Sequence, residues 1–212
     1  MINWQTFPIL KRTDRDCELP VFFDFLERTR GKINSALDIG AHYSASYYAS
    51  RLRTYVKTYT ALDPTMDIEV AKIADEFLVL DACKATLSPH DLVLCLSVIE
   101  HVGHYPFVFQ DFQDKRRDLL IKMLNAAEKY LWISFPVSRF HTIKGEMTPV
   151  TPEELEEFLK LAGRYKVTEG YFWSEGPQAG HPWTKSTGEK LINEDYIDSV
   201  GNRGICILEV EK

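Results

Sequence analysis

The run Leu92-Val93-Leu94-Cys95-Leu96 is apolar at every position, so it has no face to give to water. A strand of that kind has to be covered on both sides, as a central parallel strand is by helices above and below it. Its neighbours in the chain fit the same plan. Residues 33–39, 58–62, 77–80 and 130–135 read as strands, and 91–97 is the strand that contains the apolar run. Helical patterns stand between most of them. Residues 18–30 put Leu19, Phe22, Phe23 and Leu26 on one face before Gly31. Residues 45–56 align Ala45, Tyr48, Ala49, Leu52 and Val56, and a short helix is expected around 67–75. Residues 114–128 space Leu120, Met123, Leu124 and Ala127 at i, i+3, i+4, i+7. After the fifth strand, Thr151-Pro152-Glu153-Glu154 carries a capping box with proline at the first helical position. Leu155, Phe158, Leu159 and Ala162 form the buried stripe of that helix, and Gly163 ends it. Two more strands, 165–173 and 204–210, have no full crossover helix between them, so an antiparallel pairing is expected. The pattern predicts one α/β domain over 1–212, with a Rossmann-like, doubly wound, seven-stranded sheet, mostly parallel with an antiparallel last strand.

Composition narrows the partners. The chain has 25 Lys+Arg against 31 Asp+Glu, a formal charge of −6. Grip on nucleic acid through phosphates usually shows a basic excess, so that partner is disfavoured. No apolar run approaches the ~20 residues that cross a bilayer. The first residues lack the basic-then-apolar order of a secretion signal. Cys17, Cys83, Cys95 and Cys206 are scattered, with no CxxC pair. That spacing predicts no metal site and no disulfide framework, and a cytoplasmic protein with reduced thiols.

Chemistry concentrates at the strand ends. Asp38, Asp63 and Asp81 fall at or just after three successive strands, and a glycine turn follows the first. Asp is common in such turns, so each alone reads as a turn residue. Together they point to one crevice, because ligands of open α/β sheets bind outside the carboxyl ends of the strands. A dinucleotide needs G-x-G-x-x-G, whereas the turn here is Gly40-Ala41-His42-Tyr43-Ser44-Ala45. No Gly-Lys-Ser/Thr follows the strand, which excludes a P-loop. The acids fit a ligand with positive charge near the first strand, a ribose near Asp63 and a hydrogen-bond donor near Asp81. S-adenosylmethionine has all three.

The stretch Leu37-Asp38-Ile39-Gly40-Ala41-His42 resembles the first motif of the class I S-adenosylmethionine-dependent methyltransferases. Asp91-Leu92-Val93-Leu94-Cys95-Leu96-Ser97-Val98-Ile99-Glu100-His101-Val102 resembles the fourth-strand motif of their small-molecule branch, where the strand runs into a Glu-His-hydrophobic turn. The resemblance spans roughly residues 33–135 and implies S-adenosyl-L-methionine as cofactor. It implies that Asp38 orients the methionine amino group or nearby backbone, and that Gly40 lets the backbone approach. Asp63 would take the ribose hydroxyls and Asp81 the adenine amine. Ala41, His42, Ser44, Ala82 and Ser97 would line the cofactor. His42 and Ser44 stand where the family usually has glycines, which keeps open a second reading, a non-catalytic binding or scaffold domain. A nicotinamide-dependent oxidoreductase is a distant third, for want of the glycines.

Acid–base candidates lie past the fourth strand: His101, His104 and Tyr105. No Asp/Asn-Pro-Pro-aromatic sequence follows that strand, so the branch that methylates amino groups of nucleic-acid bases is disfavoured. The expected reaction is methyl transfer to a small-molecule acceptor, at oxygen by family resemblance. Segments 137–150 and 174–202, with His141, Glu146, His181, Trp183 and Tyr196, are expected to roof the acceptor site.

Overall fold

The computed structural model describes residues 14–42, 45–102, 112–139, 148–174, 183–193 and 203–212. Among the described residues eight strands form one sheet: β1 (Ser35–Ile39), β2 (Thr58–Asp63), β3 (Glu76–Val79), β4 (His90–Leu96), β5 (Ala127–Pro136), β6 (Lys166–Ser174), β7 (Thr184–Lys185) and β8 (Arg203–Glu211). Their order is β3-β2-β1-β4-β5-β8-β6-β7. Strands β1 to β5 pair in parallel, β8 runs antiparallel to both β5 and β6, and β7 is antiparallel to β6. The mostly parallel sheet with an antiparallel last strand is therefore as expected; the two-residue β7 is the addition. Every residue of β4 is buried, as its sequence requires.

The helices are α1 (Arg15–Arg28), α2 (Ala49–Arg53), α3 (Ile68–Ala71), α4 (Phe112–Ala126), α5 (Pro152–Ala162) and α6 (Gly188–Asn193). One face of the sheet packs on α1 and α2. There Phe22 lies 5.0 Å from Trp132 and 5.8 Å from Tyr48, centroid to centroid, and Phe25 lies 5.6 Å from Tyr130. The other face packs on α4 and α5, where Phe135 and Phe158 meet edge to face at 5.6 Å. Such pairs add ~0.5–1.5 kcal/mol each beyond the area they bury.

Three helices depart from the periodicity. The expected helix 45–56 is a single 3-10 turn (Ala45–Tyr47) followed by the five residues of α2, because Tyr48 between them leaves the helical region at φ −126°. The helix expected at 67–75 holds four residues, capped by the Asp67 carboxylate on the N–H groups of Glu69 and Val70. Helix α1 starts at Arg15, upstream of Pro20, although an interior proline costs ~3 kcal/mol. Tertiary bonds hold that first turn. Arg15 donates to the Leu96 carbonyl at 3.0 Å, and the buried Glu18 accepts from Ser97 and Ser134. The capping box on α5 forms as read, Thr151 with Glu154. Glu154 also faces Arg116 across a buried 3.2 Å ion pair. Arg116 donates as well to the carbonyls of Glu100 and Thr148.

Candidate active site

Register sets the site. Ile39 lies opposite Leu62 on one side and Cys95 on the other, and Asp63 lies opposite Val79. The residues that follow these levels, from Gly40, Thr65, Leu80 and Ser97 onward, emerge along one carboxyl edge.

The turn after β1 folds back over the end of β2, with the Gly40 and Ala41 N–H groups donating to the Leu62 carbonyl at 2.8 and 3.2 Å. Gly40 has φ +77°, open to glycine and strained for other residues. A Cβ there would lie 2.2 Å from Val98 Cγ2. The glycine thus serves a close approach of the β1 turn to the segment after β4. His42 follows, close to the Asp63 carboxylate.

Asp38 is fully buried on the α1 side. Both its oxygens accept from the Tyr48 hydroxyl, at 3.1 and 3.0 Å, and Oδ2 also accepts from the Tyr59 hydroxyl at 2.8 Å. Burial pushes its carboxyl up to about 7 against the opposing pull of the two tyrosines and Arg15. Its lone pairs point at protein hydroxyls, so Asp38 stands behind the edge, holding Tyr48 and Tyr59.

Asp63 is half-buried at the end of β2, and its Oδ1 accepts from the Thr65 N–H at 2.8 Å. Partial burial raises its carboxyl. The Leu80 N–H donates to the Asp63 carbonyl at 3.2 Å, which brings the end of β3 alongside. Asp81 comes next; its Oδ1 accepts from the Cys83 N–H at 2.9 Å, and Lys84 pairs with Oδ2 at 3.2 Å near solvent. Ala82 behind it is buried. Met66, Ile68, Val79 and Leu80 are large apolar side chains left exposed close to these two acids. An apolar rim with a few fixed polar groups is the general make-up of small-molecule sites.

Ser97, after β4, has φ +46°, the left-handed region that non-glycine residues seldom enter. Its N–H donates to the Ser134 carbonyl at 3.0 Å and its hydroxyl donates to Glu18. Backbone strain of this type costs ~1–3 kcal/mol and persists where surrounding bonds over-determine it. Next comes a 3-10 turn, Ile99–His101. Glu100 in that turn is buried, and its Oε2 has no hydrogen-bond partner among the described residues. Burial, with Glu18 and Asp14 nearby, drives the Glu100 carboxyl up to about 8. His101 points outward and is exposed. The Thr148 N–H reaches the Glu100 carbonyl at 3.0 Å, so the chain after 147 borders this turn.

The edge therefore gathers Gly40, Ala41, His42, Asp63, Asp81, Ala82, Ser97 and His101. Ser44, His104, Tyr105, His141, Glu146, His181 and Tyr196 lie outside the described residues. Trp183, expected over the acceptor, packs with Val21, Phe172 and Ile207 on the α1 face of the sheet. The residues that the sequence reading passed over are Arg15 and Glu18. One signal was available: Glu18 occupies the same i, i+4, i+7 stripe as Phe22 and Phe25, a charge on a buried face. Among the described residues no group of three or more His, Cys, Asp or Glu is arranged to hold a metal, and no helix is long and apolar enough to cross a membrane.

No protein-family model matches the sequence, and no curated protein matches it. Solved structures do resemble it. A SAM-dependent methyltransferase from Archaeoglobus fulgidus is 16% identical with a TM-score of 0.58, covering 95% of this chain and 96% of its own. Magnesium protoporphyrin IX methyltransferase (ChlM) from Synechocystis PCC 6803, with bound SAH, is 12% identical with a TM-score of 0.57, over 94% of this chain and 86% of its own. The N-methyltransferase NodS from Bradyrhizobium japonicum WM9, in complex with S-adenosyl-L-homocysteine, is 12% identical with a TM-score of 0.53, over 91% and 86%. With its strand order, antiparallel β8 and acid-bearing carboxyl edge, the chain has the fold of the S-adenosylmethionine-dependent methyltransferases.

Proposed function

We propose that the chain is a cytoplasmic S-adenosylmethionine-dependent methyltransferase that acts on a small-molecule acceptor, with oxygen as the receiving atom. The observation that carries the reading is the pairing of Asp63 and Asp81 with an apolar rim beside the Gly40 turn. Four unpaired thiols suit the reducing compartment. The residues present fit the cofactor. Only one Asp63 oxygen is taken up by the Thr65 N–H, which leaves Oδ2 for ribose hydroxyls. Asp81 would take the adenine amine, Met66, Ile68 and Leu80 would flank the base, and Ala41, His42 and Ala82 would line the floor. Asp38 acts from behind by fixing Tyr48 and Tyr59, and Ser97 holds the β4 end.

When bound, the cofactor supplies a methyl group on a sulfonium, already a good leaving group. The protein's share is then mostly alignment, which can supply up to roughly 7–11 kcal/mol. A proton acceptor for a hydroxyl adds ~10²–10⁴-fold. His101, His104 and Tyr105 are the groups assigned to the acceptor side. A second reading, a binding domain without catalysis, draws on the Asp38 oxygens being occupied by Tyr48 and Tyr59.

Titration calorimetry with S-adenosylhomocysteine separates the two readings. Losing bonds to a charged acceptor costs ~1.5–3 kcal/mol, so Asp63→Ala is expected to weaken binding by about 10- to 150-fold in a folded protein. No binding by the wild type overturns the methyltransferase reading. Unchanged affinity in Asp63→Ala removes Asp63 from the ribose.

A further inference from the structure

The turn after β3 carries Asp81, and the sheet does little to hold it. Strand β3 has four residues and sits at the edge, paired with β2 alone. Asp81 starts the turn by itself. Its carbonyl accepts from the Lys84 and Ala85 N–H groups, both at 2.9 Å, and its Oδ1 accepts from the Cys83 N–H. The chain then leaves the turn after one winding, and no backbone N–H among the described residues bonds to the carbonyls of Cys83 or Ala85. A lysine from another element meets both. Lys122 Nζ, on α4, donates to the Cys83 carbonyl at 2.5 Å and to the Ala85 carbonyl at 3.1 Å, across 39 and 37 residues. A cation on such carbonyls acts as a C-terminal cap. Its base is firm, since Leu119, Leu120, Met123 and Leu124 bury one side of α4 in the core. The same helix sends Arg116 to the Glu100 carbonyl, so α4 grips the turns after β3 and β4 alike.

We propose that Lys122 is a positioning residue for the adenine end of the site: it fixes this turn from behind, so that Asp81 presents its carboxylate to an exocyclic amine. The inference rests on the methyltransferase reading and adds what makes that site selective for its base. Asp81 Oδ2 pairs with Lys84, whose side chain is 86% exposed, an ion pair that water screens and a ligand can replace. An acceptor and a donor thus stand side by side on one turn. Were the turn loose, Lys84 could swing to the base in place of Asp81 and take a purine with a carbonyl where adenine has its amine. Held by two carbonyls, the turn keeps the acceptor in place, and the carbonyl-bearing base meets a carboxylate that cannot donate to it.

Titration calorimetry compares S-adenosylhomocysteine with S-inosylhomocysteine, in which a carbonyl replaces the adenine amine. A site built to bond an amine rejects the analogue that lacks it, so the wild type is expected to prefer the adenosyl compound by at least about tenfold. In Lys122→Met, which keeps an unbranched stem and removes the charge, the preference is expected to fall below about threefold. Lys122→Arg still donates to carbonyls and is expected to restore it. On the Asp81→Ala background, where the amine has no acceptor, adding Lys122→Met is expected to change S-adenosylhomocysteine affinity by less than about twofold. A lysine that only stabilised the fold would lower the melting temperature and leave the preference alone. A preference that survives Lys122→Met overturns the proposal. So does one lost equally in Lys122→Met and Lys122→Arg, or an effect of Lys122→Met that persists in full on Asp81→Ala. A wild type that binds both compounds equally takes Asp81 away from the amine and overturns it as well.

Amide hydrogen exchange, read by NMR, judges the hold without any ligand. The Lys84 and Ala85 N–H groups, bonded to the Asp81 carbonyl, are expected to exchange at least about tenfold faster in Lys122→Met, while the amides of β4 keep their wild-type rates. Unchanged exchange at Lys84 and Ala85 overturns the proposal. Equal acceleration in β4 overturns it too, because the lysine then supports the whole domain and not the turn. Failure of the wild type to bind either compound removes the methyltransferase reading and the adenine with it, whereas adenosyl binding with an unmoved preference in Lys122→Met removes the role of Lys122 alone.

Discussion

Replacing Gly40 with alanine tests the packing that closes the site. Two costs add. The backbone at φ +77° penalises an L side chain by ~1–2 kcal/mol. The new methyl would sit 2.2 and 2.8 Å from the two Val98 methyls and 3.0 Å from its Cβ, and overpacking of this sort costs ~1–3 kcal/mol. Together they come to about 2–5 kcal/mol, a large share of the ~5–15 kcal/mol that holds a typical domain folded. The two parts separate in a double-mutant cycle. Val98→Ala alone removes two partly buried methyls and costs about 1–2 kcal/mol. On the Gly40→Ala background the same truncation relieves the clash and should be neutral or stabilising, a coupling of at least ~1 kcal/mol between residues in contact. The backbone share should remain. Urea unfolding followed by far-ultraviolet circular dichroism reads both, as a change in midpoint at constant slope. If Gly40→Ala costs less than about 1 kcal/mol, or if Val98→Ala costs the same on both backgrounds, the β1 turn does not pack on Val98 as described.

The Asp38 carboxyl rises from its ordinary 3.8 to about 7 in the fold, so its contribution is full at low pH and is lost as pH climbs through that range, with a slope of up to ~1.4 kcal/mol per pH unit. Asp38→Asn should flatten the fall in stability between pH 4 and 7 in urea titrations, and an unchanged slope would refute its burial as a carboxyl held by Tyr48 and Tyr59. Arg116→Met should cost ~3–5 kcal/mol by leaving Glu154 buried without its partner, and adding Glu154→Gln, which keeps a cap for α5, should recover part of that. No recovery in thermal melts would mean that the bonds of Arg116 to the Glu100 and Thr148 carbonyls matter more than the ion pair.

Much of this molecule is local and therefore readable from residues in order. The β4 strand has no polar face, so it had to be central, and it pairs with β1 and β5 with every residue buried. Thr151, Pro152 and Glu154 satisfy a helix end by themselves, and the capping box formed as read. Acids at strand ends are set by chain direction alone, since parallel strands all deliver their last residues to one edge. Long-range packing decided the rest. Asp38 reads as a group that orients the methionine end or nearby backbone, and its protein partners are set by packing: Tyr48 and Tyr59, 10 and 21 residues on, reach it from α2's entry and from β2 and donate to both oxygens. The Gly40 turn packs on Val98, 58 residues on, a contact that the local sequence does not announce. The expected start of α1 at residue 18 gave way to Arg15, because bonds to Leu96, 81 residues away, and to Ser97 and Ser134 outweigh an interior proline. Periodicity records which face a helix buries. It carries no record of which distant group will meet a charge placed on that face, and that meeting puts Arg15 and Glu18 beside Glu100.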